Sequence, residues 1–166
     1  MSTTPPSGEH DPPDTAATDT AATDTDAPGS GTLPEPAAIA LVAAGGLLGT
    51  AARYELELLA PAGDGRFPWT TFGINVSGAL VLGAVLTLLT GRWERRRGGA
   101  VARPLLTTGF LGAYTTWSTY MVETALLARH GDAVTALAYL AASMVAGLAA
   151  ATVGVTAAGR MAGPTT

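Results

Sequence analysis

Beyond residue 36 the chain is a series of long uncharged runs separated by short charged connectors. Residues 37–52 carry no charge before Arg53, and a helical pattern continues to about Leu59. Residues 67–91 give 25 uncharged positions, 104–122 give 19 and 133–159 give 27. Crossing a bilayer takes about 20 mostly apolar residues. A soluble bundle would place charges along a polar face at nearly every turn, and these runs have none. The pattern predicts an all-α membrane protein with four transmembrane helices, at about 37–59, 67–91, 102–128 and 132–159. They form one domain, 37–162, followed by a short tail, 163–166.

The third run departs from the others. Between Pro104 and Tyr120 it holds two Gly, six Ser or Thr residues and four aromatics. Pro104 suits a helix start, whereas Gly109 to Thr116 is a poor helix former for a span. Two structures fit. One is a helix broken at its centre, whose unpaired backbone groups line a cavity or bind an ion. The other is a kinked continuous helix with its hydroxyls bonded back one turn. Phe110, Tyr114, Trp117 and Tyr120 are spaced to fall on one helical stripe.

Charge changes the picture in two ways. Residues 1–36 contain seven acids and no Arg or Lys, and repeat Asp-Thr-Ala-Ala-Thr at 14–18 and 19–23. Such a segment buries too little apolar area to offset its ordering entropy, so it reads as a disordered acidic tail. The body holds all nine Arg against six acids. Connector 92–103 alone has five Arg against Glu94, while the other two connectors are near neutral. Arg near span ends sets orientation, which places that connector and both termini in the cytoplasm. Nine scattered Arg and no Lys form no broad basic face for nucleic acid. The absence of Cys excludes disulfides and a thiol nucleophile. His10 in the tail and His130 in a connector build no hydrolytic constellation, so no enzyme is expected.

The candidate chemistry lies in the few polar groups within the spans. Arg53, late in the first helix, either snorkels to the headgroups or attracts anions at a vestibule. Asn75 must face inward, where its NH₂ can donate to an anion or to a neighbouring carbonyl. The hydroxyls and rings of the third run combine O–H donors with electropositive ring edges. A path of that kind with no adjacent cation suits a small, hard anion, since conduction needs weak, multiple sites.

The residues that carry this chemistry resemble a known family, the Fluc (CrcB) fluoride channels. Gly45, Gly46, Gly49, Arg53 and Tyr54 match the family's first-helix motif. Thr71, Asn75, Gly78 and Gly83 match the second. Gly109, Phe110, Gly112, Thr115, Thr116, Ser118, Thr119 and Glu123 match the third. In the fourth helix only Tyr139 and Ser143 stand in place. The resemblance implies an antiparallel dimer that exports fluoride passively across the plasma membrane. It implies a structural Na⁺ at the dimer centre, held by the backbone carbonyls of Gly112 and Thr115. It implies a fluoride path of Asn75, Trp117, Ser118, Thr119, Tyr120, Tyr139 and Ser143, with Arg53 and Glu123 as vestibule or structural residues. Trp117 and Tyr120 replace the family's two pore Phe residues, and Ala113 replaces a Gly. A homodimer of this type inserts both ways and needs little Arg bias. The partner expected is thus a second copy or an oppositely oriented paralogue, and the biased connector favours the paralogue.

Two other functions compete. A small four-helix multidrug or cation exporter needs a carboxylate in mid-membrane, and none lies mid-span in the first helix. A non-conducting partner subunit of a heterodimeric channel would need no track of hydroxyls and rings.

Overall fold

The computed structural model describes residues 33–61, 63, 66–91 and 97–162. Residues 1–32 of the expected acidic tail, Arg92, Arg95 and Arg96 of the basic connector, and the tail 163–166 lie outside them. The first helix begins at Glu35, two residues ahead of the expected start of the first span.

Helix α1 (Glu35–Leu59) starts behind Pro34 and stops two residues before Pro61, which cannot continue it. Helix α2 (Trp69–Gly91) starts directly after Pro68, whose carbonyl accepts from Phe72 N–H at 3.0 Å. The third span is built in pieces. A short α3 (Arg97–Ala102) passes into a nine-residue π-helical segment (Arg103–Leu111) and one α-turn, α4 (Gly112–Tyr114). The chain then extends at Thr115 (φ −76°, ψ 151°) and Thr116 (φ −138°, ψ 115°). It resumes as α5 (Trp117–Arg129), and α6 (Ala133–Ala162) completes the bundle. The third span is thus broken, not kinked. The wider π-turns were not foreseen; the sequence carries only the Gly and Thr content that lets them form.

The break has a packing consequence. The first half of the third span packs on α1, and the second half packs on α6, which also packs along α2. Both major contacts are backbone to backbone. A Cβ on Gly45 or Gly49 would run into the carbonyl oxygens of Leu105 and Phe110 respectively, and one on Gly154 into that of Leu80. Small residues let membrane helices approach this closely.

Between α5 and α6, Gly131 takes φ +86°, a conformation L side chains rarely adopt. Asp132 then caps α6 by accepting from Thr135 N–H at 3.0 Å. The hydrogen bonds from Thr135 hold the Asp132 carboxyl below the usual Asp range.

α1, α2 and α6 are each long and apolar enough to cross a membrane, with mean hydropathy of 1.4, 2.0 and 1.8. They expose large apolar side chains, among them Leu47, Leu148 and Val145. An aqueous surface would not carry so much contiguous apolar area. The molecule is an all-α membrane protein of four spans with the third broken.

Candidate functional site at the break

The break is held by groups from two other helices. Asn75 on α2 makes a paired contact with both backbone groups of one residue, Thr116. Its Nδ2 donates to the Thr116 carbonyl at 3.1 Å, and its Oδ1 accepts from Thr116 N–H at 2.8 Å. The amide thereby acts as a partner strand for a single extended residue. Arg53 on α1 donates through Nε to the Ala113 carbonyl at 3.2 Å and through Nη1 to Glu57 at 3.2 Å. The guanidinium thus ties α1 to the turn before the break.

Thr116 is the hinge of the arrangement. It is buried, and its Oγ1 accepts from Thr119 N–H at 3.1 Å, capping α5. The same hydroxyl donates to Thr119 Oγ1 at 2.9 Å. Sequence reasoning did not single out Thr116 as a site residue. Its signal was present in the hydroxyl at the start of a helical run, which marks an N-cap.

A cavity of about 200 Å³ opens beside the break, lined by Asn75, Thr115, Thr116, Trp117, Tyr120, Ser143 and Met144. Ser143 Oγ is buried there with no hydrogen-bond partner, and it is the sole such side-chain atom among the described residues. Tyr120 is buried, whereas Trp117 is 66% exposed on the outer side of the subunit. Their ring centroids are 5.3 Å apart. Trp117 is thus the exposed part of the cavity lining and Tyr120 a buried part.

A second polar cluster lies one aromatic ring away. Tyr120 meets the ring of Tyr139 at 5.1 Å in an edge arrangement. The Tyr139 hydroxyl donates to Glu123 Oε2 at 2.8 Å, and the Thr71 hydroxyl donates to Glu123 Oε1 at 2.8 Å. Tyr139 and Thr71 are fully buried, so the two donors have exchanged water for one carboxylate. Phe67 closes this cluster from above, with its ring 5.1 Å from Tyr139. Thr71 was read only as part of a motif; the structure makes it a direct partner of Glu123.

The expected residues therefore divide. Asn75, Trp117, Tyr120 and Ser143 surround one cavity, and Tyr139 and Glu123 belong to the neighbouring cluster. Thr119 and Ser118 stand beside the Thr116 cap and do not line the cavity. The aromatic stripe expected along the third span is corrected. Phe110 stacks on Tyr114 before the break and Trp117 tilts against Tyr120 after it, because the extended residues reset the helical phase.

At the break, no hydrogen bond among the described residues ends on the carbonyl oxygens of Gly112 or Thr115. Thr116 N–H, which would reach Gly112 in a continuous helix, goes to Asn75 instead. Unpaired carbonyls of unwound backbone are ligands for a hard cation.

Four apolar spans and a broken third helix beside a small polar-rimmed cavity define the class: a polytopic membrane protein built to handle an ion. The chain belongs to the CrcB-like protein, Camphor Resistance (CrcB) family, which it matches over residues 40–155. It is 46% identical over 106 residues to "Fluoride-specific ion channel FluC 2" of Streptomyces avermitilis, covering 64% of this chain and 65% of that one. It is 44% identical over 121 residues to "Fluoride-specific ion channel FluC 1" of Streptomyces coelicolor, covering 73% and 77%. Against "Fluoride-specific ion channel FluC" of Paracoccus denitrificans it is 41% identical over 115 residues, covering 69% and 89%.

Proposed function

We propose that the chain is a subunit of a fluoride-specific channel that lets fluoride leave the cytoplasm passively across the cell membrane. The observation that carries this reading is the unpartnered Ser143 hydroxyl, buried in a cavity rimmed by an amide and two aromatic rings. An anion entering the cavity finds a donor that no protein group uses. The second N–H of Asn75 adds another, since the first is committed to Thr116. The N-terminus of α5 begins at the cavity wall, and its dipole favours negative charge there. Arg53 is engaged with Ala113 and Glu57, so it leaves the cavity without a fixed cation. Donors without a fixed charge replace part of the hydration shell yet release the ion quickly.

An antiparallel dimer completes the path. The exposed Trp117 on the cavity wall supports a site shared with a second subunit. The basic connector supports one orientation for this chain, with both termini cytoplasmic and a paralogue inserted the other way. The carbonyls of Gly112 and Thr115 fit a structural Na⁺ by their lack of other partners. A Na⁺ held there would compensate carbonyls that no hydrogen-bond donor reaches.

The test is efflux from liposomes that contain the purified chain, alone or with an oppositely oriented relative. Loss of fluoride with retention of chloride is expected; no fluoride loss from either preparation overturns the reading. A further expected result concerns Glu123. Thr71→Val and Tyr139→Phe each remove one donor to a carboxylate, worth about 1.5–3 kcal/mol. Each should slow fluoride efflux about tenfold or more. Efflux at the parental rate in both variants would remove the Glu123 cluster from the path.

A further inference from the structure

The two carbonyls that fit a sodium ion belong to Gly112 and Thr115, and Ala113 and Tyr114 lie between them. Their separation therefore depends on how those two residues are held. Ala113 is held from α1, where Arg53 Nε donates to its carbonyl at 3.2 Å. Tyr114 is held from α2. Its hydroxyl lies 3.1 Å from Ser77 Oγ, and Ser77 Oγ lies 3.1 Å from the Ile74 carbonyl. Ser77 has one hydrogen and gives it to that carbonyl, so Tyr114 donates and Ser77 accepts.

The same stretch of α2 reaches the next two residues. A Cβ on Gly78 would run into Thr115 Cγ2 and come within 3.3 Å of Tyr114 Cδ1, so the backbone of α2 lies directly against both side chains. Asn75 takes both backbone groups of Thr116. Thr116 N–H and the Thr115 carbonyl belong to one planar peptide unit, so Asn75 fixes the plane of that carbonyl. Residues 75–78 of α2 thus hold Tyr114, Thr115 and Thr116 in register. The Tyr114 ring is also stacked on Phe110, with centroids 5.9 Å apart and planes 9° from parallel. That stack does not need the hydroxyl, so Tyr114→Phe cuts the bond to Ser77 and keeps the ring in place.

We propose that Tyr114 and Ser77 are a positioning pair: their hydrogen bond fixes the turn Gly112–Tyr114 against α2 and so sets the separation of the Gly112 and Thr115 carbonyls for a cation. Neither side chain has to touch the ion. Arg53 steadies the same turn from α1, and Asn75 the peptide that follows it. This role rests on the sodium reading above.

The sequence offers a label at the right place. Tyr is followed by Thr only at 114–115, so ¹³C-carbonyl Tyr with ¹⁵N Thr gives one coupled NMR signal from the full-length chain. Phe is never followed by Thr, so ¹³C-carbonyl Phe gives the matching signal in Tyr114→Phe alone. Each protein is titrated with sodium chloride against N-methylglucamine chloride, both alone and with an unlabelled, oppositely oriented relative. The parent signal should move and saturate. Ser77→Ala and Tyr114→Phe should each need about tenfold more Na⁺ for half-saturation, the effect of one lost hydrogen bond. The double variant should match the weaker single within about twofold, because both changes remove the same bond. Parental half-saturation in both single variants overturns the positioning role and leaves the sodium reading standing, even where the Na⁺-free thermal midpoint falls. Multiplied losses in the double variant overturn the pairing. A parent signal that Na⁺ moves in neither preparation overturns the sodium reading and this role with it.

Discussion

Asn75→Asp should cut fluoride efflux about a hundredfold or more while leaving the protein foldable. The carboxylate can still accept from Thr116 N–H, which now lies 2.8 Å from Oδ1. It can no longer donate to the Thr116 carbonyl, and instead sets a negative oxygen where a donor stood at 3.1 Å. Leaving a buried acceptor unpaired costs about 1–3 kcal/mol. The same change puts a negative charge on the wall of the cavity, against which an anion must move. Each 1.36 kcal/mol added to a barrier is about tenfold in rate, so about 1.4 kcal/mol from each effect gives a hundredfold. Asn75→Ala separates them, because it removes the clamp without adding charge. It should conduct better than Asn75→Asp and worse than the parent. Efflux assays on the three proteins at equal reconstitution check this order. Equal rates for Asn75→Ala and Asn75→Asp would mean that the clamp on Thr116, not the charge in the cavity, is all that Asn75 contributes.

The architecture was legible because bilayer physics writes it in plain terms. Long stretches without Arg or Glu, joined by short connectors, can hardly be anything but spans. The break was legible as one of two readings, from Gly109, Gly112 and the Thr pair. The sequence left open which groups would hold it. That depends on Asn75 and Thr116, which are 41 positions apart and are brought together only by packing. The π-helical segment was hidden for a similar reason. The wide turns lie where α1 packs, with Gly45 and Gly49 against the backbone of Leu105 and Phe110, and no local propensity marks that contact. The substitution at Tyr120 is instructive. From the sequence, an added hydroxyl beside a proposed anion path reads as an added anion donor. In the fold it belongs to a helix carbonyl, and the donor left over is the serine three residues further along α6.

The largest expected effect on folding comes from a single methyl group, and its control lies three residues away on the same helix. In Gly49→Ala the new Cβ would meet the Phe110 carbonyl oxygen and press on that residue's Cα at 3.1 Å. Both are backbone atoms, so no side-chain rotation relieves the clash. α1 has to move away from the π-helical segment, and the guanidinium of Arg53, one turn further along, is drawn from Ala113 as it does. Overpacking of this kind costs about 1–3 kcal/mol, and breaking the Arg53 hydrogen bond to the Ala113 carbonyl adds to it. In Gly46→Ala the Cβ meets nothing within 4 Å, and its intrinsic helix propensity improves by up to about 1 kcal/mol. The expected result is a sharp loss of monodisperse protein and a lowered thermal midpoint in detergent for Gly49→Ala. Gly46→Ala should keep a subunit at least as stable as the parent. Should the two variants behave alike, the tight face of α1 is not the one that carries Gly49. A Gly46→Ala protein that keeps its subunit fold yet loses fluoride efflux would place position 46 against a second subunit. That outcome follows from the open space around it, since a methyl group with no neighbour inside the subunit can only disturb something outside it.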